Sequence, residues 1–449
     1  MKKLVSLLLT LTLALSLTAC GSKEPAAEDA EEPAKDGGVT LNVVTSYGGD
    51  DGNRGNFEKA VKAYEESTGN TVNDGSATSN EEWKAKVLTD FETGSEPDVL
   101  FFFTNADAEP FISADKVVPI DEIRAEYPDY ASNMKDDLLP ANLVNDNKYA
   151  IPVNGFWEAM FCNTEVLDAA GVEVPGADYT WDMFKADCQK IKDAGYTPIA
   201  AALGEIPHYW WEFSIFNHTS PATHLNVPAD VESDNGPAWV AGMEDIKELY
   251  ELGFFPENTN SATDGETFEL FASGKAAFLI DGSWKVGGIV AACQADANDP
   301  STLDTAKLDN FDVTYVPGQG ERKATDLIGG LSMGYYITRK AWEDPAKREA
   351  AVKFVEYMTS DEKVPVFAQH TATALKNAPA VDEAKFNSLQ IKALSMMAGV
   401  TSLTGAVQDV FNGECRVSTF DGMPDIVTGK VSAEDAVAEG LEVYADLNG

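Results

Sequence analysis

Apolar positions along the chain follow two periods, and the switches between them predict its elements. Residues 39–47 alternate apolar and polar side chains, predicting a strand that runs into the polar, glycine-rich stretch 48–55. Phe57, Ala60, Val61 and Tyr64 then recur at helical spacing until Gly69, which stops the helix. A strand is expected near Thr71. Ser79 and Glu82 suggest a capping box for the next helix, whose Trp83, Val87 and Phe91 lie one turn apart before Gly94. Pro97 introduces the apolar run 98–103, of the kind found in a strand buried on both faces of a parallel sheet. Strand, helix, strand, helix, strand is an α/β pattern.

The stretch 148–163 organises the rest of the chain. It begins as an apolar strand interrupted by Pro152, then presents Phe156, Trp157 and Glu158 beside Gly155, which predicts a crossing between two lobes. Beyond it the alternation resumes. Thr180 caps a helix carrying Trp181, Phe184, Cys188 and Ile191 on its inner face, and 197–202 reads as a strand. His208 precedes an aromatic cluster of Tyr209, Trp210, Trp211, Phe213 and Phe216. Pro237 opens a helix with Trp239, Val240, Met243, Ile246, Leu249 and Tyr250 on its apolar side, and the strand 276–281 delivers Gly282, Ser283 and Trp284. Residues 311–316 read as a second crossing, 332–338 as a strand, and 345–359 as a helix. Helices are expected at 381–397, 402–411 and 432–446, and no internal repeat is found.

The ends change the picture. Met1, Lys2 and Lys3, an apolar run over 4–17 and then Thr18, Ala19 and Cys20 make a secretory signal. The ending is similar to the bacterial lipobox, so Cys20 is expected to become the lipid-modified N-terminus. Residues 21–38, rich in Ala, Glu, Asp, Pro and Gly, read as a flexible acidic tether. Roughly 410 residues remain, more than one core usually takes, and two lobes are expected.

A formal charge of −41 argues against binding a nucleic-acid backbone. Cys162, Cys188, Cys293 and Cys415 have no metal-type spacing, leaving disulfides and buried thiols both open, and the four histidines form no zinc motif. The loop 48–55 lacks the Gly-Lys-Ser/Thr and Gly-x-Gly-x-x-Gly patterns, and its acids would repel phosphate. Trp83, Trp181 and Trp239 fall on apolar helix faces and belong to the core. Trp157, Trp210 and Trp284 sit beside Gly or polar residues and are candidates for a pocket, with Tyr47, Arg54 and Glu158. Asn105 and Asp107 lie just past the strand 98–103, where ligands gather in open α/β sheets.

The loop Gly49, Asp50, Asp51, Gly52, Asn53, Arg54, Gly55 with the later Thr68 and Gly69, the Pro97 and Asp98 pair, and Gly274, Ala277, Gly282, Ser283, Trp284 resemble the extracellular solute-binding proteins of ABC transporters. That group includes maltose-binding protein and other sugar binders, and the likeness covers nearly the whole mature chain. It implies a two-lobed, periplasmic-binding-protein-like α/β fold with crossing hinge strands. Lobe one would be 39–153 with 317–360, and lobe two 154–316 with 361–449. It implies sugar contacts at Asp50, at Asn105 where the family has a carboxylate, at Trp284, and at one of His208, Tyr209 and Trp210. The expected protein is a monomeric, lipid-anchored receptor on the outer face of the bacterial cytoplasmic membrane. It would need no cofactor, catalyse no reaction and hand a carbohydrate to an ABC permease. Two other readings stay open: the same receptor with a polyamine or peptide ligand, and a glycoside hydrolase using Glu158 and Asp281.

Overall fold

In the computed structural model of the chain, residues 38–49, 51–142, 145–205, 208–297, 299–378, 383–411 and 413–448 are described. The expected signal peptide with Cys20, nearly all of the expected tether and Asp50 lie outside the described residues. Among the described residues no helix is long and apolar enough to cross a membrane.

The strands in chain order are β1 (Thr40–Val44), β2 (Thr71–Asp74), β3 (Val99–Phe103), β4 (Ile151–Pro152), β5 (Phe156–Asn163) and β6 (Thr197–Ile199). Then come β7 (Ala276–Gly282), β8 (Phe311–Thr314), β9 (Asp326–Gly330), β10 (Met333–Ile337) and β11 (Ser402–Thr404). One sheet has the order β2-β1-β3-β10-β4, parallel around β1 and antiparallel at β10. The second runs β11-β9-β5-β7-β6, with β8 also paired to β5. Each sheet has its own core. Leu41, Val43, Phe101 and Tyr335 pack below the first sheet and Leu100, Phe102 and Tyr336 above it, as alternation along β1, β3 and β10 requires. The second core gathers Phe161, Phe184, Trp210, Trp239 and Phe278.

Local signals account for most helix ends. Thr180 accepts from the Met183 N–H at 3.3 Å. The helix Glu81–Glu92 starts differently from the expected capping box: Asn80, not Ser79, accepts the Trp83 N–H at 2.9 Å. The aromatic cluster forms the helix His208–His218, which is apolar nearly all round because it is buried between the second sheet and the helix Gly236–Glu251.

Residues 402–411, expected as a helix, instead form β11 and a short turn Val407–Asp409. The Thr401 and Ser402 hydroxyls donate to Asp326 at 2.8 Å each, pinning Ser402 beside Asp326 in a parallel register.

The chain passes from the first sheet to the second between β4 and β5 and returns between β9 and β10. The strand β8 does not cross; it pairs with the far half of β5. A third passage follows the helix Val364–Ala368. There the Gly155 N–H donates to the Ala372 carbonyl at 2.7 Å and the Trp157 indole N–H to the His370 carbonyl at 3.4 Å. Cys162, Cys188, Cys293 and Cys415 are all buried, and among the described residues no disulfide joins them.

Candidate ligand-binding site

Between the two sheets lies a cavity of about 240 Å³, lined by both lobes and by the crossing segments. Strand alternation decides what β5 contributes. Phe156 and Glu158 share the face toward the cavity, whereas Trp157 points the other way, 1% exposed, against Phe161 and His370.

Trp284 lines the cavity half-buried, its indole 5.9 Å from the Tyr209 ring and 6.3 Å from the Phe156 ring. The Gly-x-Trp spacing has a physical reason. The indole lies over Gly282, where a Cβ would meet its ring carbons at 2.1–2.3 Å, so only glycine leaves room for it.

The first lobe adds Tyr47, whose ring stacks on Phe101 at 4.8 Å and whose hydroxyl donates to Asn154 at 2.9 Å. Arg54 faces away from the cavity. It donates to the Tyr47 carbonyl at 3.0 Å and to Asp74 at 2.8 Å, tying the glycine-rich loop to β2.

Asn105 and Asp107 do not line the cavity; they join the lobes beside it. Asn105 donates to Asp409 of the second lobe at 2.6 Å. Asp107 sits between Lys84 at 3.3 Å and Arg416 at 3.2 Å, and Glu81 bridges the same two cations at 2.9 and 3.2 Å. Across the cavity Gly52 and Gly287 touch, a Cβ on Gly287 meeting the Gly52 Cα at 2.3 Å. The structure is therefore a closed one. Trp210 packs in the second core against Phe184 and Phe255, and His208 opens the helix that carries Tyr209.

The electrostatics divide the acids into two groups. Glu81 is partly buried, which alone would raise its carboxyl, but Lys84 and Arg416 win and hold it below its ordinary value. Glu158 has no such cation. Burial first, and then repulsion from Glu212, Asp409 and Asp281, push it well up. Burial and Asp409 raise Glu212 to about 8, and burial raises Asp281 to about 6 against the pull of Lys285. His370 is held neutral, pushed down to about 4 by burial. Among the described residues no cluster of His, Cys, Asp and Glu could hold a metal ion.

Residues 50–365 match the family model of the bacterial extracellular solute-binding proteins. The chain belongs to this family. Its members are extracellular solute receptors rather than enzymes. This solute-binding protein also resembles solved structures over nearly its whole length. A chitin oligosaccharide binding protein is 20% identical, with a TM-score of 0.75, over 92% of this chain and 99% of that one. The GacH receptor of Streptomyces glaucescens GLA.O, solved unliganded and with acarbose, is 18% identical, with a TM-score of 0.68, over 91% and 98%. An ABC substrate-binding protein from Listeria monocytogenes, in complex with cycloalternan, is 16% identical, with a TM-score of 0.69, over 92% and 99%. At these identities the likeness establishes the two-lobed fold. No curated protein sequence matches significantly.

Several lining residues of this solute-binding protein carry no signal in the local sequence pattern: Asn80, Lys84, Asp264, Gln369, Gln408 and Asp409. They come from separate stretches that only the tertiary fold brings together. Phe156 is different, because period-two alternation along β5 is signal enough to choose it over Trp157.

Proposed function

We propose that this protein is the carbohydrate receptor of an ABC importer, capturing a mono- or oligosaccharide between its lobes and delivering it chemically unchanged to the permease. One observation carries the reading. The cavity joins an aromatic platform, Trp284 flanked by Tyr209 and Phe156, to the planar amides of Asn53, Asn80, Asn154, Gln369 and Gln408. A pyranose has flat C–H faces and a rim of hydroxyls, which such a lining matches. Each hydrogen bond contributes only about 0.5–1.5 kcal/mol net, while micromolar affinity needs about 8 kcal/mol, so stacking and several amides must act together. Chitin oligosaccharide, acarbose and cycloalternan, named for the structural relatives, support the same ligand class.

We assign ligand contact to Tyr47, Glu158, Tyr209 and Trp284, and positioning of the lobes to Asn105 and Asp107. Ligand favours the closed form only through its higher affinity for that form. The signal-like residues 1–20 support lipid anchoring at Cys20 on the outer membrane face, with a monomeric body on the tether 21–38. The outward lobe boundary falls at 153/154. On the return path, sheet membership favours a boundary near Leu331 rather than Pro317.

A thermal-shift screen of sugars, polyamines and peptides tests the reading, since a ligand at ~100 times its Kd adds about 2.7 kcal/mol. A shift with one sugar class, and that sugar recovered intact, is expected. A response to peptides alone, or hydrolysis of the sugar, would overturn it.

A further inference from the structure

The charge of the cavity is not that of a site for a neutral sugar. Seven acidic side chains line it against two lysines. Both lysines are engaged already: Lys84 with Glu81 and Asp107, Lys285 with Asp264 at 2.7 Å and Asp281 at 3.3 Å. Among the described residues Glu158 is left with no cation beside it. It is 0% exposed, lines the cavity, and neither of its carboxylate oxygens has a hydrogen-bond partner among the described residues.

Glu212, on the helix His208–His218, stands behind the lining. One of its oxygens accepts the Gln408 N–H at 3.2 Å and the other has no partner among the described residues. Next to Gln408, Asp409 receives the Asn105 amide. A sugar hydroxyl could donate one bond to Glu158 but brings no charge. An ammonium brings three donors and the missing charge together, and charge-assisted bonds are the stronger ones.

We propose that the sugar taken by this site carries a primary amine, and that its ammonium seats against Glu158 with Glu212 and Asp409 completing the counter-charge. The inference rests on the sugar-receptor reading above and narrows its ligand class.

Proton release is expected from the surroundings of Glu158. The groups facing it are Glu212 and Tyr209 from the helix, Asp281 from β7 with Lys285 and Asp264 beyond it, and Asp409 from the turn with Lys84 and Arg416 beyond. His370, from the third passage, is neutral. Glu212, raised to about 8, holds most of its proton at pH 7 and Glu158 is pushed in the same direction, so an arriving ammonium displaces a proton from this group of acids.

Calorimetric titration of the full chain at pH 7 tests this. The probes are glucosamine, galactosamine, mannosamine and the β-1,4-linked glucosamine disaccharide, each beside its N-acetylated counterpart, with spermidine as a non-sugar amine. The best amino sugar is expected to bind about tenfold or more tighter than its acetylated form. Its enthalpy should differ between phosphate and Tris buffers because a proton is released. In Glu158→Gln both the preference and the buffer dependence should collapse. If that variant fails to fold, the wild-type comparison decides alone. Equal binding of the paired sugars, or binding of neutral sugars only, overturns the inference and leaves the receptor reading standing. Spermidine bound with no sugar bound overturns both, and no probe bound overturns the inference.

Discussion

Replacing Glu212 by glutamine should stabilise the free protein, by an amount that grows with pH. Burial, then repulsion from Asp409, moves this carboxyl from the ordinary 4.5 to about 8. An acid whose folded pKa is raised contributes stability fully present below its unfolded value and lost as pH rises through the folded one, so the window is 4.5 to about 8. At about 1.4 kcal/mol per pH unit the interval amounts to roughly 5 kcal/mol. For a body of roughly 410 residues, with an unfolding entropy of about 2.1 cal/mol/K per residue, the whole interval corresponds to a Tm difference of about 6 °C, not quite complete at pH 8. Glutamine cannot ionise. Tm of Glu212→Gln minus Tm of wild type should therefore be near zero at pH 5 and about 5 °C at pH 8 by scanning calorimetry. The wild-type curve alone is no substitute. His224 and His370, held neutral by burial at about 3 and about 4, lose stability as pH falls below their ordinary 6.5 and oppose the trend. Subtracting the two proteins cancels that opposition. A Tm difference that does not change with pH would show that burial does not raise the Glu212 carboxyl.

Trp284→Ala should weaken sugar binding while leaving the fold intact, with a fall in Tm of only a few °C because the indole is half-buried. Losing a stack of ~50 Å² on each face, at ~25 cal/mol per Å², costs about 2.5 kcal/mol, or roughly 60-fold in Kd. An unaltered Kd would remove Trp284 from the site. Gly287→Val places a Cβ 2.3 Å from the Gly52 Cα, so small-angle scattering should show the variant staying open with ligand present. Compaction equal to wild type would show that this contact does not limit closure. Thiol titration of Cys162, Cys188, Cys293 and Cys415 should find none reactive in the native protein and all four after unfolding without reductant. Fewer than four would mean that a pair is oxidised.

The two α/β halves were legible because β1, β3 and β7 carry strong apolar runs and the helices between them a regular spacing. The motif at Gly282 and Trp284 was legible for a steric reason that the fold makes visible. The segment 402–411 was misread because its pairing is set by Asp326, some 76 residues earlier along the chain, through hydroxyls that no local pattern predicts. That error also hid Asp409. Trp157 and Trp210 illustrate the commonest ambiguity: a tryptophan beside polar residues can still face a core, and strand or helix phase decides which. The interlobe joins made by Asn105 and Asp107 depend on Asp409 and Arg416, about 300 residues away, and so lay beyond any reading of the sequence by periodicity.

A receptor of this kind holds its sugar in the cavity and releases it unchanged. Equilibrium titration of wild type and Trp284→Ala with the sugar found by the screen, followed by mass analysis of the recovered sugar, tests it most directly. Binding should be saturable and one-to-one, Kd weaker in the variant and the sugar's mass unaltered; binding indifferent to Trp284, or a shortened sugar, would rule out a receptor that holds its sugar here.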